Sequence, residues 1–303
     1  MTSEKPQAAE WKPKEVVPLR HYGNVVAAAL IILLLVKLAF DIKANGLIRW
    51  DVIGSRMFLD TLMNGLWITV VLTVVSMVLG IIGGTILAIM RISRNKVLVA
   101  ISSFFVWLFR GTPILVQILI WFNLALFLPT LDFVFFSVNT TEFITPLFAA
   151  ILGLSLNEAA YSSEIIRGGL VSVDSGQQEA AEALSMTDGQ AMRRIVLPQA
   201  MRSIVPPMGN ELVTLLKETS LVSVIGAGDL LTRAQAVGAT DFTRMEMFIV
   251  ASLWYLALTS VATIGQAYLE KRLGKSKGQL TPTKRGLTSY ARALVPSRKE
   301  QAA

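Results

Sequence analysis

Long uninterrupted runs of apolar side chains are the feature that most restricts how this chain can fold. Six segments reach or approach the length of about 20 residues with which a helix crosses a hydrocarbon layer of about 30 Å. These segments cover residues 23–40, 62–90, 112–129, 144–168, 205–226 and 246–268. Backbone N–H and C=O groups in lipid must be bonded within their own segment, and the runs lack the alternation of barrel strands. The sequence therefore predicts an all-α, polytopic membrane protein.

The basic residues indicate an orientation for these segments. The net charge of +7 could suit nucleic acid, but the Lys and Arg residues collect in alternate loops rather than in one patch. They precede the first segment, separate the second from the third and the fourth from the fifth, and follow the sixth. By the positive-inside rule, we expect both termini and residues 171–204 in the cytoplasm, and we expect no nucleic-acid partner.

The residue inventory excludes several kinds of chemistry. Cys is absent and His21 is the only histidine, so disulfides, thiolate catalysis and the usual zinc clusters are excluded. Gly274-Lys275-Ser276 resembles the end of a P-loop, but Leu269 stands where the motif needs its earlier glycine. We therefore predict no catalytic residue, no metal and no cofactor, and any energy from ATP must be supplied by another chain.

A short glycine-rich stretch raises one enzymatic alternative. Gly226-Ala227-Gly228-Asp229 resembles the GxGD sequence of intramembrane aspartyl proteases. That chemistry needs two carboxylates that share a proton, and no second Asp falls inside an apolar segment. A turn at the outer end of the fifth segment is the better interpretation.

A polar, alanine-rich insert, EAAEALSMTDGQAMRRIVLPQA at 179–200, separates the fourth and fifth segments. Two Ser/Thr-x-x-Gln patterns in or beside it are typical of capping boxes, Ser175 with Gln178 and Thr187 with Gln190. They predict one short helix over about 176–184 and a second from Asp188 toward Leu197, where Pro198 would break or restart the helix. By composition alone, this hairpin could be a simple connector.

The spacing inside the insert resembles that of a known family. Glu179-Ala180-Ala181, then Ser185, then Ile195 and Leu197-Pro198, is similar to the EAA loop of bacterial ABC importer permeases. The family has a glycine at the position of Ser185, which suggests a turn with positive φ that serine can adopt at a cost of about 1 kcal/mol. Three more stretches resemble the branch that handles His, Glu, Gln, Arg and opines: FRGTPILVQ at 109–117, NEAAYSSEIIRGGL at 157–170 and LLKETSLVSVIG at 215–226.

The resemblance implies a fold and a set of partners. The fold would be that of a type I ABC importer permease, with a five-helix core plus one extra N-terminal helix, in the bacterial plasma (inner) membrane. The partners would be an ABC ATP-binding subunit, an extracytoplasmic solute-binding protein, membrane lipid and a second permease subunit, identical or related. The loop would dock into a groove of the ATPase through Glu179, Ala180, Ala181, Ser185, Ile195, Leu197 and Pro198.

The resemblance also implies the organisation of the chain. We expect a cytoplasmic N-terminal segment at 1–22 and an extra transmembrane helix with an outer linker at 23–57. The permease core would cover 58–270 and contain the coupling loop at 171–204, and a basic cytoplasmic tail would follow at 271–303.

Polar side chains recur at helical spacing in the fourth and fifth segments. Because charged groups in a bilayer normally face protein or water, we hypothesise that the two stripes line a hydrated path for a zwitterionic amino acid. The candidate residues are Asn157, Glu158, Tyr161, Glu164, Glu211, Thr214 and Lys217. The alternative is that charges such as Glu164 and Arg167, at i and i+3, neutralise each other and hold helices together.

Two further features predict helix packing rather than transport. Gly80, Gly83 and Gly84 include a G-x-x-x-G spacing, which permits a close approach of two helices. Arg110-Gly111-Thr112-Pro113 is a family signature placed where the third segment begins, and Pro113 suits the first turn of a helix.

Two other classes of function remain open on the sequence. An ion-coupled secondary amino acid transporter would combine path and energy source in one chain, and inverted repeats would favour it. A membrane scaffold would use the cytoplasmic hairpin only to recruit a partner.

Overall fold

The computed structural model describes residues 22–44, 46, 48–132 and 137–274. The predicted N-terminal segment and basic tail lie outside the described residues, except for Tyr22 and residues 271–274. The chain divides into two compact units at the boundary between Asp51 and Val52. The first unit contains helix α1 (Tyr22–Ala44). Within this helix, apolar residues dominate the sequence from Val26 to Phe40.

The second unit is almost entirely helical. Helix α2 (Trp50–Arg56) crosses the boundary between the units. The elements that follow are α3 (Asp60–Arg91), α4 (Lys96–Gly111), α5 (Ile114–Phe122), a 3-10 turn (Leu124–Leu126), β1 (Thr130–Asp132), β2 (Ser137–Asn139), α6 (Thr140–Phe143), α7 (Pro146–Val171), α8 (Ser175–Ala183), α9 (Asp188–Ala191), a π-helix (Met192–Val196), α10 (Leu197–Glu218), a 3-10 helix (Thr219–Ile225), α11 (Leu230–Thr240) and α12 (Arg244–Gly274). The two strands pair antiparallel, with Thr130 opposite Asn139.

Helix α7 lies at the centre of this unit and packs against α3, α4, α5 and α10. Its neighbours contribute fully buried side chains such as Ile118 and Leu215, beside Leu154 of α7 itself. Helix α5 comes close at Gly153, where a Cβ atom would lie 2.9 Å from Ile118 Cγ1. Helices α11 and α12 form a hairpin that packs on α3 and α10.

The glycines of α3 allow a close contact between α3 and α7. A Cβ atom on Gly80 would lie 2.3 Å from Glu158 Cγ, and one on Gly84 would lie 2.6 Å from Ser162 Cβ. Real Cβ atoms do not approach other heavy atoms so closely, so α3 could not keep its distance from α7 with alanine at either position. The predicted role of the G-x-x-x-G spacing in helix packing is confirmed.

The third predicted segment, 112–129, differs from the structure. The chain forms helix α4 where the sequence predicted a basic loop, and it then bends by 103° into α5. Thr112 at the bend is extended, with φ −117° and ψ 145°, because a residue before proline disfavours the helical conformation. Pro113 directly precedes α5, so a helix does start at the signature, but it ends at Phe122.

Length and composition identify membrane spans among the described helices. Asp60–Arg91 and Arg244–Arg272 are long and apolar enough to cross a membrane, and the bent pair α4 and α5 would be a third span if counted as one. Helices α7 and α10 have 26 and 22 residues, but they carry the polar stripes noted in the sequence. The fold is therefore a bundle of long helices in which the polar helices α7 and α10 lie beside the strongly apolar helices α3 and α12.

Candidate functional site

The polar insert between α7 and α10 forms a helical hairpin, as the sequence predicts. Its first helix is α8, and Asp174 rather than Ser175 caps it, because Asp174 Oδ1 accepts a 2.8 Å hydrogen bond from the N–H of Gly176. A carboxylate at this position satisfies a free N–H group and is stabilised by the helix dipole. The capping box predicted between Ser175 and Gln178 is therefore wrong, and α8 begins one residue earlier than expected.

The turn after α8 has the backbone geometry that the family glycine suggested. Ser185 has a φ of 57°. Its N–H donates to the carbonyl of Glu182 at 2.8 Å, and the N–H of Met186 donates to the carbonyl of Ala181 at 3.1 Å. These two bonds form a Schellman motif, which normally places glycine in the left-handed position. The turn thus exists with serine in the strained position.

The second half of the hairpin continues into α10 through a π-helix. The predicted capping box is confirmed: the N–H of Gln190 donates to Thr187 Oγ1, and the N–H of Thr187 donates to Gln190 Oε1. After α9, the N–H of Leu197 donates to the carbonyl of Met192, five residues back. Pro198 has no N–H, so the carbonyl four residues before it cannot accept an α-helical bond. The π-helix ends just before Pro198 and joins α9 to α10 without a break.

The predicted coupling residues differ in exposure. Ala181 is completely buried, so it does not belong to the outer surface of α8. Gln199 Nε2 donates to Gln177 Oε1 at 3.2 Å and thereby joins α10 to α8. Exposed or half-exposed positions are Glu179, Ala180, Ser185, Ile195, Leu197 and Pro198. Six of the seven predicted coupling residues are therefore accessible to another protein.

Carboxylates from α7 and α10 meet in the second unit. Glu158 is within electrostatic reach of both Glu211 and Glu218. The Glu158 side chain is buried and accepts a 2.6 Å hydrogen bond from Ser162 Oγ. Arg110 lies near enough to Glu211 for their opposite charges to interact. No three acidic or His residues in the described part of the chain are arranged to hold a metal ion.

Asn157 takes part in a buried amide network rather than standing alone. Its Nδ2 donates to the carbonyl of Phe109 at 3.0 Å and to Gln117 Oε1 at 3.1 Å. Gln117 Nε2 donates to the same Phe109 carbonyl and to Thr112 Oγ1, each at 2.8 Å. The network therefore fixes the bend between α4 and α5 on α7. Gln117 was not among the predicted site residues, although it is a lone polar side chain within the apolar α5.

Glu164 lies in a cluster of charges from three helices. Its Oε1 pairs with Arg91 Nη1 and lies 3.8 Å from Arg110 Nη1, while Oε2 accepts a 2.9 Å hydrogen bond from Arg167 Nη2. The guanidinium of Arg110 also lies 5.1 Å from the ring centre of Tyr161. The pairing of Glu164 with Arg167 was the alternative to path lining, and Arg91 and Arg110 join it from α3 and α4. Arg91 was missed because it was counted only as a loop charge.

The remaining polar residues considered on α10 lie on its exposed face. Thr214 and Lys217 are exposed, and Asn210 Oδ1 accepts a 3.3 Å hydrogen bond from Gln266 Nε2 of α12. Gly111 in the signature before α5 is also exposed. The exposed stripe of α10 is therefore available to solvent, lipid or another subunit.

The Gly226–Asp229 stretch is a turn, as expected. Gly226 and Gly228 have positive φ values of 69° and 84°, which glycine adopts without strain. Asp229 caps α11, and its Oδ2 accepts a 2.9 Å hydrogen bond from the N–H of Leu231. Its carboxylate thus has a structural role.

Comparison with known sequences identifies a single type of protein. Residues 80–275 match the family described as "Binding-protein-dependent transport system inner membrane component". The "Arginine transport system permease protein ArgU" of Corynebacterium glutamicum is 41% identical over 287 residues, which cover 94% of this chain and 90% of that protein. The "Arginine transport system permease protein ArtQ" of Bacillus subtilis is 40% identical over 214 residues, covering 70% and 92%.

A solved structure has the same fold. A chain from the "Crystal structure of an amino acid ABC transporter with histidines" superposes with a TM-score of 0.63 and 33% sequence identity. The superposition covers 71% of this chain and 95% of that chain. The chain therefore shares its overall fold with a chain of an amino acid ABC transporter.

Proposed function

The chain belongs to the family of binding-protein-dependent transport system inner membrane components, and we propose that it carries a cationic amino acid along the polar faces of α7 and α10. It is the translocation subunit of an ATP-driven amino acid importer and not itself an enzyme. Permeases of this family are multi-pass proteins of the bacterial inner membrane, and they work with an ATP-binding subunit and a substrate-binding protein. The similarities favour this function over an ion-coupled transporter.

The acidic groups of α7 and α10 support a cationic substrate. Glu158, Glu211 and Glu218 are close enough for their charges to interact. A guanidinium or ammonium group would relieve the repulsion among them, because opposite charges attract strongly where water is scarce. The exposed Lys217 could pair with the carboxylate that every amino acid carries. ArgU and ArtQ are named as arginine permeases, which agrees with this proposal.

Uptake by the reconstituted transporter tests the substrate. The permease, its ATPase and its binding protein would be placed in vesicles that contain ATP, and uptake of labelled arginine would be compared with uptake of labelled glutamate. We expect arginine to be taken up about tenfold faster or more, equivalent to at least about 1.4 kcal/mol of discrimination. Equal rates, or faster glutamate uptake, would contradict the cationic assignment while leaving the ATP-driven function intact.

The hairpin of α8 and α9 is proposed as the contact with the ATPase. Glu179 is exposed on α8, and the Schellman turn at Ser185 holds α8 against the start of α9. The π-helix and Pro198 join α9 directly to α10, which carries Glu211 and Lys217. A displacement of the hairpin would therefore be transmitted to the proposed path without a flexible link. This continuity is the observation that carries the coupling proposal.

Charge reversal at Glu179 tests the proposed contact. Glu179→Lys should leave the amount of permease in the membrane unchanged and reduce co-purification with the ATPase about tenfold or more. Glu142→Lys is the matched control, because Glu142 is an exposed carboxylate on the short helix α6, outside the hairpin. Equal co-purification of both variants with the ATPase would contradict the docking role of Glu179.

The assembly proposed around this chain has two permease subunits, identical or related. By the positive-inside rule, the proposed hairpin and both termini would lie in the cytoplasm, beside the ATPases, and the binding protein would deliver substrate at the opposite face. Closure of the ATPase pair on ATP would move the docked hairpins and switch the paths between inward and outward access.

A further inference from the structure

The ion cluster around Glu164 has more positive than negative charge. Arg91, Arg110 and Arg167 all pair with this one carboxylate, and Glu211 also lies within electrostatic reach of Arg110, so three positive and two negative charges give an excess of +1. A guanidinium has five N–H donors, and one carboxylate cannot accept all those of three arginines. Arg167 Nε is buried and has no hydrogen-bond partner among the described residues. The arginines of the cluster therefore have N–H groups left to bind an anion.

The cluster is open on the side of Arg110. The Arg110 side chain is 43% exposed, whereas those of Arg91 and Glu164 are 20% and 22% exposed. The ring of Tyr161 supports the guanidinium of Arg110 at 5.1 Å and limits its movement. A planar guanidinium held in this way can bind two oxygens of a phosphate at once.

The surface beside Arg110 is apolar. Helix α4 buries Ser102, Val106 and Phe109 on one face. Its opposite face exposes Val97, Ile101, Phe104, Trp107 and Leu108. An amphipathic helix with exposed aromatic residues and basic residues at its ends is typical of the membrane boundary. The bend of 103° between α4 and α5 allows α4 to lie along the bilayer surface when α5 enters the bilayer.

We propose that this arginine cluster binds the phosphate of an anionic phospholipid, whose acyl chains lie along the exposed apolar face of α4. Basic pockets between membrane helices suit such headgroups, and the excess charge of the cluster complements the charge of the phosphodiester. An acidic segment of a protein partner would satisfy the arginines but would not need the apolar face. The bound lipid would join α3, α4 and α7 at one end. This inference holds whichever amino acid the transporter carries.

The test is a lipid titration of the purified transporter, with its ATPase, in detergent. Phosphatidylglycerol should raise the unfolding temperature of the unmodified protein, whereas zwitterionic phosphatidylcholine should raise it little. Arg110→Gln should weaken the apparent affinity for phosphatidylglycerol about tenfold, the loss expected for one charge-assisted hydrogen-bonding group. Arg94→Gln is the matched control, because Arg94 is exposed and follows Arg91 by three residues without joining the cluster.

A second variant keeps the test independent of the ion cluster. Trp107→Gln changes only the exposed apolar face and should also weaken phosphatidylglycerol binding, even if Arg110→Gln fails to fold.

An equal response of the Arg110 and Arg94 variants to phosphatidylglycerol would overturn the proposal. The same stabilisation by soluble glycerol phosphate, with no effect of Trp107→Gln, would show a phosphate site instead. Loss of the ATPase from Arg110→Gln, with its lipid response unchanged, would assign the cluster to a protein partner.

Discussion

The left-handed backbone at Ser185 strains the turn between α8 and α9. The Schellman motif requires a left-handed backbone after α8, and Ser185 adopts it with a φ of 57°. A side chain in this conformation costs about 1 to 2 kcal/mol, which glycine avoids. The strain lies in the turn between the two parts of the proposed ATPase contact, so it bears directly on how firmly that contact is formed.

Ser185→Gly should stabilise the hairpin by about 1 kcal/mol, because the left-handed strain is removed while both hydrogen bonds of the turn remain. Hydrogen exchange of the Met186 amide, which donates to Ala181, should slow about fivefold if local opening controls the exchange. Ser175→Gly is the control, since position 175 is the first residue of α8 and needs no positive φ. Faster exchange in Ser185→Gly than in the unmodified protein would contradict the assignment of strain.

Neutralising single charges on α10 tests the proposed path. Glu211→Gln should reduce uptake of a cationic amino acid about tenfold by removing an attraction worth about 1.4 kcal/mol. Lys217→Gln should reduce uptake as well, because the substrate carboxylate loses its proposed partner. Glu142→Gln provides the same chemical change on an exposed residue outside the path. Unchanged uptake by both α10 variants, at normal abundance in the membrane, would contradict the path assignment.

At the scale of elements, the contact between α3 and α7 depends on glycine. Gly80→Ala should destabilise the protein by about 1 to 3 kcal/mol, because the new Cβ atom would overlap with Glu158 Cγ at 2.3 Å and push the helices apart. The thermal unfolding temperature in detergent should fall by several degrees. Gly265→Ala on α12 is the matched control, since no atom lies within 4 Å of its added Cβ. Equal unfolding temperatures would contradict the packing role of Gly80.

The elements also show which parts of the fold were readable from the sequence. Apolar length predicted α3 and α12, and the Thr187 capping pattern predicted the start of α9. Helix α4 was missed because its 16 residues are too few for a span and basic residues lie at both ends. The 103° bend was missed because the tertiary bonds of Gln117 and Asn157 fix it. Such contacts between distant parts of the chain leave no periodic pattern in the sequence.

At the scale of the whole molecule, this chain supplies the translocation path and a separate ATPase supplies the energy. The residues of the proposed path lie on α7 and α10, and the hairpin joins those two helices. A force on the hairpin therefore acts on both walls of the path at once. The family motifs predicted this division of labour, whereas the pairing of Glu164 with Arg91 and Arg110 became visible only when three helices were brought together.

Reconstitution of the complete transporter tests whether the ATPase supplies the energy while the permease supplies the path. Vesicles that contain the permease, ATPase and binding protein should accumulate amino acid only when ATP is present on the ATPase side of the membrane. The reason is that the proposed coupling through the hairpin needs ATP hydrolysis by the ATPase. Omission of the ATPase should abolish accumulation, and an ion gradient should not restore it. Glu179→Lys should lower accumulation even when ATP is saturating, whereas Glu142→Lys should not. Accumulation driven by an ion gradient without the ATPase would contradict the dependence of transport on a separate ATPase. No uptake under any condition would instead favour a membrane scaffold.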